Sequence, residues 1–408
     1  MRPPSLVRPA TALAAILAFA LAGCVRVRVH GDPEAAMAPA ALRVATYNTS
    51  LYDGTPGGLV RRLEAGDERA RRIAAVLQRV RPDIVLLNEF DYDAEGRAAT
   101  LFQRDYLAVA QPGGGAPLHY PYRYLAPVNT GVASGLDLDR DGSAGGAGRQ
   151  HGDDAWGYGL FPGQYGMLLL SRHPIAAAQA RTFRLLKWSA LPDARRPRDP
   201  ASGTWWHPDA VWAQLRLSSK SHWDVPVDTP HGRVHVLAAH PTPPVFDGPE
   251  DRNGARNHDE IRLWAEYLSP GVKPWLCDDD GRCGGLPAQA RFVLVGDLNA
   301  DPDDGESVPG AIAQLLAHPR VDARFVPRSE GAVQQAAAYG LPRKGDVASH
   351  TGDFGPQTGT LRLDYVLPSR GWRVLDGGVY WPVPGTLADD PTTASDHRLV
   401  WLDLAAEP

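Results

Sequence analysis

Several apolar runs in this chain stop abruptly at an acid, an amide or an imidazole, and that habit limits its architecture more than any other feature. In 83-DIVLLNEFD-91 the run from Ile84 to Leu87 gives way to Asn88, Glu89 and Asp91. In 233-RVHVLAAHPTPP-244 it reaches His240, and in 291-RFVLVGDLNADPDD-304 it passes through Gly296 to Asp297 and Asn299. Short apolar runs of this kind read as buried strands. Burying an unpaired carboxylate is costly, so these strands either end at the surface or deliver charge to a metal or a substrate. The remaining strands expected are 42-LRVATYNTSLY-52, 166-GMLLLSR-172, 361-LRLDYVLPS-369 and 398-RLVWLDL-404. Helices are few. One is expected over Asp67–Arg81, where Ile73, Val76, Leu77 and Val80 fall at helical spacing and Pro82 stops the run; another is expected over Asn257–Leu268. With 43% hydrophobic and 22% charged residues the chain is globular in composition. No internal repeat is evident.

Strand ends of this type can share one mouth while the strand bodies fill a core. The residues so gathered are Asn48, Glu89, His240, Asp297, Asn299, Asp364, Asp396 and His397. Oxygen donors dominate and cysteine is absent from the set, which suits Mg²⁺ or Mn²⁺ better than Zn²⁺. Two imidazoles beside carboxylates suit proton transfer, and the whole set suits metal-assisted hydrolysis of a phosphoester.

The segments 46-TYN-48, 86-LLNEFD-91, 296-GDLNAD-301, 362-RLDYVL-367 and 395-SDH-397 resemble, in order and spacing, the endonuclease/exonuclease/phosphatase superfamily with the deoxyribonuclease I-like fold. The resemblance covers about residues 42–404. Each motif alone is weak; the set in this order is specific. It implies an α/β fold, a four-layer α/β/β/α sandwich of two packed mixed β-sheets flanked by helices. It also implies roles. Glu89 would be the principal metal ligand, with Asn48 and Asp396 nearby. His397, oriented by Asp364, would contact the scissile phosphate or act as general base. Asp297 would position or deprotonate the attacking water, Asn299 would orient Asp297 and bind a phosphate oxygen, and His240 would donate to a phosphate oxygen or protonate the leaving group. The expected chemistry is in-line attack on phosphorus. A further substrate-contacting residue, which the family often supplies between the Glu and His motifs, has no clear counterpart; Gln164, Tyr165 and Arg172 lie in the corresponding stretch.

Other segments carry weaker signals. Residues 1–23 read as a secretory leader: Arg2 and Arg8 flank its start, and 11-TALAAILAFALAG-23 is short for a bilayer span. It closes on 21-LAGC-24, which resembles a bacterial lipoprotein box and makes Cys24 the expected lipidation site. Residues 24–40 would be a tether and 41–408 the catalytic domain. The chain is then exported and held to the cell envelope by lipid alone, as a monomer. In an oxidising compartment Cys277 and Cys283 are expected to form a local disulfide. The formal net charge of −5 argues against a bulk nucleic-acid binder. Nucleic acid, a lipid head group or a small phosphate ester remain substrate classes. The Gly-rich insert near 111–160 contains 137-DLDRDGS-143, where Asp137, Asp139 and Asp141 match the start of an EF-hand loop but Gly148 stands where its last ligand would be. Two readings stand for it: a Ca²⁺ loop that borrows Asp153 or Asp154, or a solvated turn. In 217-LSSKSHWDVPV-227, Lys220 and His222 are candidates for substrate contact, against a surface hairpin with a buried Trp223. The competing functions are a non-catalytic binding module on the same fold and a calcium-stabilised surface lipoprotein.

Overall fold

Strand periodicity builds the layers. In the computed structural model, which describes residues 41–383, 385–387 and 390–407, alternate side chains of each central strand go to different cores. Along Leu42–Leu51 (β1), Leu42 and Val44 face one core while Ala45 and Tyr47 face another. Ile84–Phe90 (β2) divides in the same way, Ile84 and Leu86 against Val85 and Leu87. These two strands are parallel and form the centre of a six-stranded mixed sheet. Its other members are Tyr122–Tyr124 (β3), Met167–Ser171 (β4), Trp372–Val379 (β12) and Val400–Ala406 (β13), in the order β12-β13-β1-β2-β4-β3.

The second sheet is five-stranded. It contains Arg181–Thr182 (β5), His222–Thr229 (β6), Gly232–Ala239 (β7), Phe292–Asp297 (β8) and Asp364–Pro368 (β11), in the order β11-β8-β7-β6-β5. Only β7 and β8 run parallel within it. Val234, Val236, Val293 and Val295 meet Val44 and Leu86 in the core between the sheets. Leu237, Phe292 and Leu294 turn outward to Ile261, Leu263 and Trp264 of the Arg252–Leu268 helix. On the opposite outer face, Ile73, Val76 and Leu77 of the Glu68–Val80 helix cover the first sheet. The sequence of layers is therefore helix, sheet, sheet, helix, as expected. A short hairpin, Gly352–Asp353 (β9) with Thr360–Leu361 (β10), stands beside the second sheet.

Three local expectations change. The helix begins at Arg252 rather than Asn257, because its polar first turn carries no apolar periodicity. The strand expected over 361–369 is divided between β10 and β11. The segment around Trp223 is a core strand: Trp223, Val225 and Val227 all point inward from β6. Cys277 and Cys283 form a disulfide. Among the described residues no helix is long and apolar enough to cross a membrane. The expected leader and the whole of the tether, Cys24 included, lie outside the described residues.

Candidate active site

Parallel strands place their C-terminal ends side by side, and a crevice at such ends is where open α/β sheets bind ligands. Here Asn48 and Glu89 lie at or near the ends of β1 and β2, and His240 and Asp297 at the ends of β7 and β8. Asp364 opens β11, which is antiparallel to β8, so Asp364 and Asp297 are cross-strand partners. One cleft of about 1050 Å³ is lined by Glu89, Lys220, His240, Asp297, Asn299, Asp396 and His397, among others.

The two sheets are pinned together below this cleft. The Asn88 side chain is fully buried; it donates to the Ala239 carbonyl at 3.3 Å and accepts from the Asp297 N–H at 3.2 Å. Beside it the Asn48 amide donates to Asp297 Oδ2 at 3.0 Å. Gly296 permits the close approach of β8 to β7: its φ is 154°, and a Cβ there would lie 2.0 Å from the Ala239 carbonyl oxygen. That is the physical reason for the glycine in Gly-Asp-Leu-Asn.

Asp297 Oδ2 is the hub. His240 Nε2 lies 3.4 Å from it and His397 Nε2 3.6 Å. The other oxygen of Asp297 accepts from the Asn299 N–H at 2.9 Å. Burial pushes the Asp297 carboxyl well above the usual carboxylate range, against the pull of His397. His397 Nδ1 bonds Asp364 Oδ2 at 2.8 Å. Burial opposes the charged ring, but the carboxylates of Asp364 and Asp297 outweigh it and hold His397 well above the ordinary imidazole range. His240 is the opposite case: burial, then Lys220 and His397, push it well below that range. At neutral pH the site therefore pairs an imidazolium with a neutral imidazole.

Glu89 is half-buried, and its backbone is left-handed with φ 56°. The β1–β2 register shifts between Asn48 and Leu51, where Ser50 is left-handed too (φ 48°). Bulges of this type re-aim side chains near active sites. Burial raises the Glu89 carboxyl, while the His397 ring and the Asn48 amide oppose the rise. Asp396 is exposed at the rim and accepts from the Ser50 hydroxyl at 3.1 Å. Four carboxylates, Glu89, Asp297, Asp364 and Asp396, thus surround the His397 imidazolium, and Lys220 lies in the field of Glu260, Glu89 and Asp297. The surplus negative charge and the oxygen donors of Asn48, Glu89 and Asp396 fit a hard divalent cation. Asp297, Asp364 and His397 also offer ligand atoms within 4.8 Å of one another. The His397–Asp364 hydrogen bond, the His397–Asp297 ion pair and the Asn48 amide already account for that spacing, so Glu89 is the better centre for a metal.

Other candidates divide. Lys220 is buried at the cleft, where burial lowers its pKa against the opposing charges of Glu260, Glu89 and Asp297. His222 is corrected from substrate contact to core: it is fully buried, its ring nitrogens meet Ser218 Oγ at 2.6 Å and the Glu260 carbonyl at 2.9 Å, and it sits against Trp264. The Asn299 amide nitrogen is engaged by the Pro241 carbonyl at 3.1 Å, so that group braces a loop. Asp137, Asp139 and Asp141 come together, and backbone N–H groups of Gly142, Asp141 and Ser143 bond to their carboxylates.

Sequence reasoning missed two braces. The Thr351 hydroxyl donates to Asp364 Oδ2 at 2.7 Å, behind His397. Glu260, buried mid-helix, accepts from the Ser219 N–H and the Thr242 N–H at 2.6 Å each, fixing the loops that carry Lys220 and follow His240. A carboxylate on the apolar face of a helix was the available signal for Glu260; the Thr351 sequence context has none. Tyr52 and Tyr165, with ring centroids 4.6 Å apart, add an aromatic wall to the cleft.

No curated protein matches the chain by sequence. Solved structures do match in fold. An endonuclease/exonuclease/phosphatase from Beutenbergia cavernae is 21% identical, with TM-score 0.50, over 90% of this chain and 72% of that one. Sphingomyelinase C from Streptomyces griseocarneus is 20% identical, with TM-score 0.42, over 90% and 99%. An endonuclease/exonuclease/phosphatase family protein from Leptotrichia buccalis is 13% identical, with TM-score 0.45, over 89% and 98%. The family match itself spans residues 45–397, from within β1 to the histidine of Ser-Asp-His, and so takes in every strand end that builds the cleft. The chain belongs to the Endonuclease/Exonuclease/phosphatase family.

Proposed function

We propose that the protein is a divalent-metal-dependent phosphoester hydrolase that works by direct attack of water on phosphorus. The observation that carries this reading is the hub at Asp297. One buried carboxylate oxygen faces the imidazolium of His397 and the neutral ring of His240 across a cleft that also presents Glu89. Asp297, made more basic by burial, orients water and takes its proton as the new P–O bond forms. His397, fixed by Asp364, offsets charge on a phosphoryl oxygen. His240 is neutral and donates one N–H to a second oxygen. Glu89, with Asn48 and Asp396, would hold Mg²⁺ or Mn²⁺; when bound, the ion neutralises charge on the phosphoryl and leaving oxygens. The leaving oxygen departs opposite the attacking water and takes its proton from solvent.

The substrate is a diester or monoester of phosphate from nucleic acid, a lipid head group or a small ester. We propose further that the chain acts outside the cytoplasm, anchored through Cys24; the support is the leader and Leu-Ala-Gly-Cys run alone.

The test is add-back of Mg²⁺, Mn²⁺ or Ca²⁺ to the metal-stripped full chain. The substrates are bis(p-nitrophenyl) phosphate, p-nitrophenyl phosphate, plasmid DNA and sphingomyelin. Turnover restored by metal and abolished in His397→Ala and Glu89→Gln is expected. A folded chain inert toward every substrate with every metal would replace the hydrolase with a binding module.

A further inference from the structure

The stretch of the cleft around His207 has its own polar construction, which the hydrolytic chemistry does not use. His207 lines the cleft, is 4% exposed, and its Nδ1 is buried without a hydrogen-bond partner. Two neighbouring nitrogens share that condition: Trp206 Nε1 and Arg196 Nε. Arginines surround them. Arg252 and Arg256 line the same cleft. The guanidiniums of Arg140 and Arg252 lie over the Trp206 ring, 4.7 and 5.8 Å from its centroid, and Arg196 donates to the His207 carbonyl at 2.6 Å.

The carboxylates in this stretch are largely committed. Glu250 pairs with Arg252, and Asp209 with Arg196 at 2.7 Å. Asp153, which also lines the cleft, pairs with Arg149 at 3.1 Å. Glu260 is taken by the N–H groups of Ser219 and Thr242. Arg140 has no salt-bridge partner among the described residues, and Arg256 spends its donors on the carbonyls of Leu217, Trp156, Arg216 and Ser218. The local field is positive, which agrees with a His207 ring pushed down to about 4 by burial and then by Arg252, Arg256, Arg196 and Arg140. Buried nitrogens without partners are costly unless something meets them. A neutral imidazole lining the cleft inside a ring of guanidiniums is suited to an anion.

We infer that His207, with Arg252, forms a second anion subsite in the cleft, and that the substrate carries a phosphate remote from the bond that is cleaved. This rests on the hydrolase reading for its place in the reaction, but not for its existence as a binding site.

Binding is tested without catalysis. Inorganic phosphate is titrated calorimetrically into the metal-stripped full chain and into its His207→Gln and Arg252→Gln variants, each first shown to melt cooperatively. Loss of one charge-assisted hydrogen bond predicts affinity weakened about tenfold in either variant. Arg252→Lys, which keeps the charge beside Glu250, retains most of the affinity and separates charge from fold. Phosphate binding unchanged in both Gln variants overturns the subsite, whatever the hydrolysis assays return.

The second arm compares two p-nitrophenyl phosphodiesters that differ only in a remote phosphate. Wild type is expected to favour the one carrying it by about tenfold in kcat/KM, and Arg252→Gln to erase the preference, so that the two diesters turn over alike. Free inorganic phosphate, added with the simpler diester, does not reproduce the gain. A preference absent in wild type, or surviving in both Gln variants, overturns the assignment of that anion to the substrate. Turnover of neither diester, with phosphate binding that still depends on His207, overturns the hydrolase reading and leaves the subsite standing.

Discussion

Thr351→Val tests the support of the candidate site with an almost isosteric change. In the folded chain the Thr351 hydroxyl donates to Asp364 Oδ2 at 2.7 Å and accepts from the N–H groups of Leu363 at 2.9 Å and Asp364 at 3.0 Å. The residue is 1% exposed, so solvent does not replace these partners. Valine removes a hydrogen bond to a carboxylate, about 1.5–3 kcal/mol, and leaves two buried N–H groups unmet at about 1–3 kcal/mol each. The added methyl recovers about 1 kcal/mol. A net loss of about 2.5–8 kcal/mol follows, and at about 2 cal/mol/K of unfolding entropy per residue it lowers Tm by roughly 3–10 °C. Thr351→Ser keeps the oxygen and gives up only the methyl, about 1 kcal/mol. Thermal melts followed by circular dichroism compare the three chains. If the hydrolase proposal holds, Thr351→Val also lowers kcat, because Asp364 no longer fixes the His397 ring, and Thr351→Ser restores it. A valine variant melting within about 1 °C of wild type, or a serine variant falling as far as valine, would refute the hydrogen-bond reasoning.

Gly296→Ala places a Cβ 2.0 Å from the Ala239 carbonyl and should destabilise by about 3 kcal/mol or more; a wild-type melting curve contradicts the close-approach argument. His207 supplies a pH signature: with its folded pKa depressed to about 4 from 6.5, the unfolded chain binds more protons between those values. Stability is then full above about pH 6.5 and declines as pH falls toward 4, by up to about 3 kcal/mol, and His207→Leu should flatten that stretch of the Tm–pH curve; an unchanged slope counts against it. Cys283→Ser opens a short loop, whose closure contributes about 2 kcal/mol, so urea unfolding should shift by about that much under non-reducing conditions and not at all once wild type is reduced.

The layered fold was legible because its strands alternate: Val44 against Ala45 and Leu86 against Val85 sort to opposite cores by a period of two, which a sequence displays directly. The eight strand-end residues were legible because each motif keeps its polar group at a fixed offset from an apolar run. What escaped lies where no local pattern exists. Thr351 acts through a hydroxyl brought to Asp364 by a hairpin, and Glu260 reaches loops 18 and 41 residues away. His222 was misjudged for the same reason in reverse: its neighbours in sequence are polar, but its neighbours in space, Trp264 and the Glu260 carbonyl, enclose it.

Asn88 couples the two sheets at the floor of the cleft, holding Ala239 and the Asp297 N–H at once. Asn48 and Glu89 belong to one sheet, and His240, Asp297 and Asp364 to the other. The cleft is therefore a vernier: its spacing reads out any slip of one sheet over the other. Repacking Val236 or Leu86, far from solvent, would mistune it without altering a single group that faces substrate.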